Sequence, residues 1–162
     1  YSCVFINSMT WTKPIYGKSR VDKAGDVLTD KGATEEKKEE ALTVLNNWRS
    51  SHGYPMNTFQ ARLRQISKKV DDTSLVVQRL KRVPSIIKKL TRDQTKTMSL
   101  SQMQDIAGCR SVLSDVDKVY KVTEIYRKSR GLKHKKKESG PCLLSHCVYL
   151  FTTRIVPYGL PR

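Results

Sequence analysis

"SLVVQRLKRVPSIIKKLTRD", residues 74–93, decides the fold. Its first half, 74 to 81, is a short apolar run in which Val76 and Val77 are β-formers. Its second half opens on Pro84 and Ser85, which suit the first turn of a helix, and Ile86, Ile87 and Leu90 follow as its apolar residues. The stretch therefore reads as a strand, a turn and a helix. Basic side chains are threaded through it, and no acid appears before Asp93. Side chains alternate along a strand, so Arg79 and Lys81 share one sheet face, about 7 Å apart. Ser85 sits at the helix start, where free backbone N–H groups attract anions. Lys89 lies four residues later on the same helical face. Two cations on a strand, a hydroxyl at a helix start and a further cation on that helix make a cradle for a polyphosphate. The same charges also fit a merely solvated face, and spacing alone leaves both readings open.

Working outward, "DIAGCRSVL" (105–113) reads as a second strand that begins with Asp105. A carboxylate at a strand end beside a polyphosphate cradle is suited to holding Mg²⁺. Between the two strands, "QTKTMSLSQ" (94–102) reads as polar loop. "SDVDKVYKVTEIYRKSR" (114–130) reads as a helix opened by Ser114 or Asp115, with Val116, Val119, Tyr120, Thr123 and Tyr126 inward. "HCVYLFTTRIV" (146–156) reads as a third strand. Upstream, three helices are expected: 19–28, one capped by Thr34 with Ala41, Val44, Leu45 and Trp48 inward, and 57–70 with Phe59, Leu63, Ile66 and Val70 on one face. "SSHGYP" (50–55) separates the last two, since Gly and Pro break helices. Helices first and then β-α-β-α-β suggest an α/β or α+β layer with helices over a small sheet, of which α+β is the class expected for the domain spanning 19–156. Residues 1–18 read as an irregular N-terminus and 157–162 as a tail.

The bulk numbers agree with a charged partner. At 162 residues the chain is about one domain long, and its net charge of +16 calls for nucleic acid, nucleotide phosphates or an anionic surface. No apolar run approaches the ~20 residues that span a bilayer, so no membrane role is expected. The opening "YSCVFINSMT" has neither the basic nor the apolar region of a signal peptide. Four cysteines are no disulfide framework, so reduced thiols and a cytoplasmic location are expected.

"RLKRVPSIIKKL" (79–90) looks like the R-x-K-x-x-x-S-I-x-x-K motif of the RelA/SpoT alarmone synthetase domain. "DIAGCR" (105–110) is similar to that family's D-[IL]-x-[GA]-x-R strand, at about the right distance. "NNWRSSHGYPMNTFQARLR" (46–64) resembles the helical lead-in of single-domain members, the small alarmone synthetases and related toxins. The resemblance covers roughly 10–130. It implies a nucleotidyltransferase-like fold, a mixed sheet flanked by helices. It also implies transfer of pyrophosphate from ATP to the ribose 3′-hydroxyl of GDP or GTP in guanosine tetraphosphate (ppGpp) metabolism and the stringent response. Some toxic members act on the 3′ end of tRNA instead, and an antitoxin protein is then a candidate partner. By the same resemblance Arg79, Lys81, Ser85 and Lys89 contact ATP phosphates. Asp105 binds Mg²⁺ and is the catalytic carboxylate. Arg110 is either structural or faces the nucleotide.

The family's second half departs from this pattern here. It normally carries Y-[IL]-x-x-P-K-x-x-G-Y-[QR]-x-x-H, whose tyrosine stacks on the acceptor guanine, and later E-x-Q-[IL]-R. In "KESGPCLLSHCVYLF" (137–151) only Ser139, Gly140, His146, Val148 and Tyr149 match, with Pro141 and Cys142 where the tyrosine and its basic neighbour belong. The expectation is a domain incomplete at its C-terminal end, with His146 left as the acceptor-side residue. Such a chain is expected to transfer weakly or not at all while retaining the capacity to bind ATP, because Asp105 alone leaves the metal and base chemistry incomplete and the missing base stacking contributes about 1–3 kcal/mol. His134, Cys142, His146 and Cys147 fit no standard zinc spacing. "KHKKK" (133–137) reads as a solvated loop or a phosphate-tracking patch. The other functional class that the charge supports is a non-catalytic basic module that binds RNA or nucleotides.

Overall fold

The computed structural model describes residues 11–92, 98–128 and 147–151, the last stretch by its backbone alone. The element order is α1 (Lys18–Thr29), α2 (Glu35–Ser51), α3 (Gly53–Val70), β1 (Leu75–Leu80), α4 (Val83–Leu90), β2 (Ala107–Val112), α5 (Val116–Arg127) and β3 (Cys147–Phe151). This is the α+β class with a helical lead-in. The sheet order is β1-β2-β3. Both pairings are antiparallel, so the described strands include none of the parallel pairing that a mixed sheet requires.

The strand-turn-helix stretch folds as read, with β1 followed by α4. Pro84 lies in the first turn of α4, where its missing N–H is not needed. Ile86 and Leu90, four residues apart, are buried and bind α4 to the core. β2 alternates buried and half-buried residues along its whole length, as a strand with one covered face does. It starts at Ala107, so Asp105 lies two residues before the strand rather than at its first position.

Some boundaries differ from the sequence reading. α3 begins at Gly53, four residues earlier than expected, and only His52 separates it from α2. Gly53 and Pro55 occupy the first turn of α3, where a proline leaves no helix hydrogen bond unmade. Thr34 is the N-cap residue of α2, but its side chain makes no capping bond. Asp115 caps α5 by accepting from the Lys118 backbone N–H at 2.8 Å. On α5 Val119, Val122 and Tyr126 are buried, whereas Val116 and Tyr120 are exposed. Within the expected polar loop, Leu100–Gln102 form a 3-10 turn whose Leu100 is buried against α1. The fit there is close: a Cβ on Gly25 would stand 2.9 Å from the Leu100 Cβ.

Two apolar clusters hold the fold. The first joins α1, α2 and α4 through Val21, Leu45, Trp48, Ile86, Leu90 and Leu100. The second packs Met56, Leu63 and Ile66 of α3 and Val119, Val122 and Tyr126 of α5 against Ala107 and Cys109 of β2. Leu80, at the end of β1, touches both clusters. Helices therefore cover one face of the sheet. The other face carries exposed Leu75, Val77 and Arg79 on β1. Cross-strand partners share a face, so Gly108 opposite Arg79 and Arg110 opposite Val77 lie on this open side too.

Candidate functional site

The register of β1 on β2 builds the site. Val77, Arg79, Lys81, Gly108 and Arg110 line a cleft of ≈ 300 Å³ on the open face, together with Gln78, Cys109 and Asp105. Lys81 lies one residue past β1, yet its N–H still donates to the Ile106 carbonyl at 2.7 Å. The ladder is thereby extended by one step, and the alternation that puts Arg79 on the open face carries Lys81 there too.

Asp105 is the centre of the charge arrangement. Lys81 Nζ donates to Oδ2 at 2.8 Å and Lys89 Nζ to Oδ1, also at 2.8 Å. The three side chains are 14%, 26% and 28% exposed for Lys81, Lys89 and Asp105, so they are shielded but reachable. Partial burial pushes the Asp105 carboxyl up. The hydrogen bonds and positive charge of Lys81 and Lys89 outweigh that and hold it below the usual carboxylate range. The carboxylate stays ionised near neutrality, and both its oxygens are engaged by ammonium groups.

The other expected residues fall at different distances from this centre. Arg79 lines the cleft, is exposed and has no ion pair among the described residues. Ser85 is half-buried in the first turn of α4, one turn before Lys89. It is not among the residues that line the cleft. Arg82, Lys88 and Arg92 are exposed. Arg110 lines the cleft. Cys109 is a buried free thiol pushed up to about 11 by burial, which leaves it unreactive. His146, "KHKKK" and the Cys/His candidates His134 and Cys142 lie outside the described residues, as does the Cys147 side chain.

One residue near the site carried no signal in the charge pattern. Arg49, in the last turn of α2, donates its Nε to the Lys81 carbonyl at 2.7 Å. Nothing about a single arginine 32 positions upstream of Lys81 announces that contact.

The donor set decides what metal could be held. Among the described residues no three His, Cys, Asp or Glu groups come together. Asp105 alone does not make a resident metal site. It does suit Mg²⁺ that arrives on phosphates, because that ion is usually held by one or two carboxylates plus the substrate's own oxygens.

These features define an α+β domain with a cleft on the uncovered face of its sheet, lined by Arg79, Lys81, Asp105 and Arg110. Residues 78–140 match the family described as the region found in RelA / SpoT proteins, which supports a RelA/SpoT-type domain over that stretch. The match takes in α4, β2, α5 and every cleft residue except Val77. No curated protein matches the chain. Among the described residues no helix is long and apolar enough to cross a membrane.

Proposed function

We propose that the cleft binds the phosphates of ATP, as the donor half of a pyrophosphokinase site. The observation that carries this reading is the convergence of Lys81 and Lys89 on the single carboxylate of Asp105, at 2.8 Å each, beside a cleft flanked by Arg79 and Arg110. An incoming triphosphate offers both ammonium groups a richer anion than Asp105, and charge-assisted bonds to phosphate are strong. The lysines exchange partners and the Asp105 oxygens become free. Asp105 would then be the protein ligand for Mg²⁺, which would neutralise phosphate charge during transfer.

In the full reaction the acceptor 3′-oxygen attacks the β-phosphorus of ATP. The bond from that phosphorus to the α-bridging oxygen breaks, AMP leaves and the hydroxyl proton is lost. The acceptor is GDP, GTP or the tRNA 3′ end, and for the tRNA-directed type an antitoxin protein is the expected partner. His146 is proposed on the acceptor side. The acceptor motif is the part of the family pattern that this sequence departs from, so ATP binding is expected to exceed transfer.

Titration calorimetry with Mg·ATP tests the reading, with transfer to GDP, GTP and tRNA assayed separately. Arg79→Ala and Lys81→Ala are each expected to weaken ATP about tenfold, the loss of one charged hydrogen bond. Absence of ATP binding, with both variants behaving like the parent, overturns it. The net charge of +16 favours a second reading, a basic RNA-binding module. That reading predicts RNA affinity spread over many cations and falling steeply with salt.

A further inference from the structure

The peptide that carries Lys81 is fixed from two sides. Its N–H is held by Ile106, the neighbour of Asp105, and its carbonyl by Arg49 Nε, each at 2.7 Å. It lies where the chain leaves the ladder of β1, just before Arg82 caps α4. A backbone carbonyl at such a corner has no strand partner, and Arg49 supplies one from α2. Arg49 is itself held firmly. Ser51 Oγ and His52 Nδ1 both donate to the Trp48 carbonyl at 2.7 Å, and the His52 ring stands edge-on to the Trp48 indole at 5.2 Å. Trp48 is buried in the first apolar cluster. The end of α2 is thus anchored in the core and reaches across to the corner of β1.

The choice of donor is informative. Arg49 is only half-buried and pairs with no carboxylate among the described residues. Its contact is made by Nε, which is part of a rigid planar fork, and a lysine cannot reproduce that direction. We infer that Arg49 is a positioning residue of the proposed phosphate site: it fixes the corner of β1 so that the Lys81 ammonium meets Asp105 and can be handed to an incoming phosphate. The inference rests on the polyphosphate reading of the cleft and adds to it a residue outside the family match, on a different helix.

The test uses the full chain with Arg49→Ala and Arg49→Lys. Without ligand, amide hydrogen exchange at Lys81 is expected to quicken about tenfold in Arg49→Ala, the loss of one hydrogen bond from a charged donor, while amides of α3 and α5 keep their protection. With Mg·ATP, Arg49→Ala weakens binding about tenfold by the same energy, and Arg49→Lys restores little of it. In a Lys81→Ala background Arg49→Ala has no further effect, whereas with Arg79→Ala the two losses add. Unchanged exchange at Lys81, or equal losses with and without Lys81, overturns the inference. A parent chain that binds neither Mg·ATP nor tripolyphosphate overturns the proposed function instead, and the exchange measurement still decides whether Arg49 fixes the corner.

Discussion

Lys81, Lys89 and Asp105 form a charge arrangement of two cations and one anion in which every partner is satisfied without a ligand. Such an arrangement keeps the lysines extended and in place, which lowers the ordering cost of binding an anion. It also makes Asp105 a competitor of any anion that enters the cleft. Asp105→Asn removes that competitor and leaves both ammonium groups beside the cleft. Tripolyphosphate titrated without divalent ions should therefore bind the variant more tightly, by about five- to thirtyfold if each of the two partly exposed pairs contributes ~0.5–1 kcal/mol. With Mg²⁺ present the advantage should disappear, because the carboxylate that would hold the ion is gone. Weaker metal-free binding by the variant would show that Asp105 positions the lysines more than it competes with them. The basic positions and the single acid were legible in the sequence, since alternation and helical spacing place them. That Asp105 would pair with two of those lysines was not, because motif spacing gives no distance from Asp105 to the end of β1 or to the second turn of α4.

At the scale of elements, the joints of the sheet layer depend on a carboxylate that the motifs did not single out. Asp71 follows α3 and is buried. Its Oδ1 accepts from the Thr73 N–H at 3.1 Å and hydroxyl at 2.7 Å, and its Oδ2 from the Ser114 N–H at 2.8 Å. Lys118 Nζ stands 3.4 Å away. One side chain thus ties the α3–β1 turn to the β2–α5 turn. The Thr73 and Ser114 hydrogen bonds outweigh burial and hold its carboxyl far below the usual range. A depressed carboxyl stabilises the fold fully above its unfolded value, about 3.9, and loses that contribution as the pH falls below it. Asp71→Asn should lower the melting temperature at neutral pH by several degrees and leave a shallower loss of stability between about pH 4 and 2. Thermal melts across that range measure both, and an unchanged acid slope would remove Asp71 from the account. The elements themselves were readable where apolar periodicity was strong, in α2, α4, β1 and β2. Boundaries were missed where a residue has two uses: Gly53 and Pro55 stop one helix and start the next. Leu100 was passed over because a single apolar residue among polar ones has no period to reveal it.

For the whole molecule, the open question is how a helical lead-in outside the RelA/SpoT match comes to support a cleft inside it. α1 and α2 pack with α4 in one cluster, and α3 and α5 pack with the sheet in the other. The charge centre beside the cleft draws on both: Lys89, paired with Asp105, comes from an element of the first, and Arg79 and Arg110 line the cleft from the sheet of the second. Leu80 touches both clusters and sits between Arg79 and Lys81, facing the side of β1 away from the cleft. That position gives it two effects at once. Leu80→Ala should cost about 2 kcal/mol, near the low end for a leucine truncation because the side chain is only half-buried. If the clusters form one cooperative unit, tryptophan fluorescence, with Trp48 as its buried reporter, and far-ultraviolet ellipticity should still shift together along a urea titration. The variant should also bind Mg·ATP less well under conditions where it is fully folded, since the strand that carries Arg79 and Lys81 loses its seat between the two clusters. Two separated transitions would mean that the lead-in and the sheet layer fold independently and that the cleft is held together by local contacts alone, with Arg49 on Lys81 as the chief link between them.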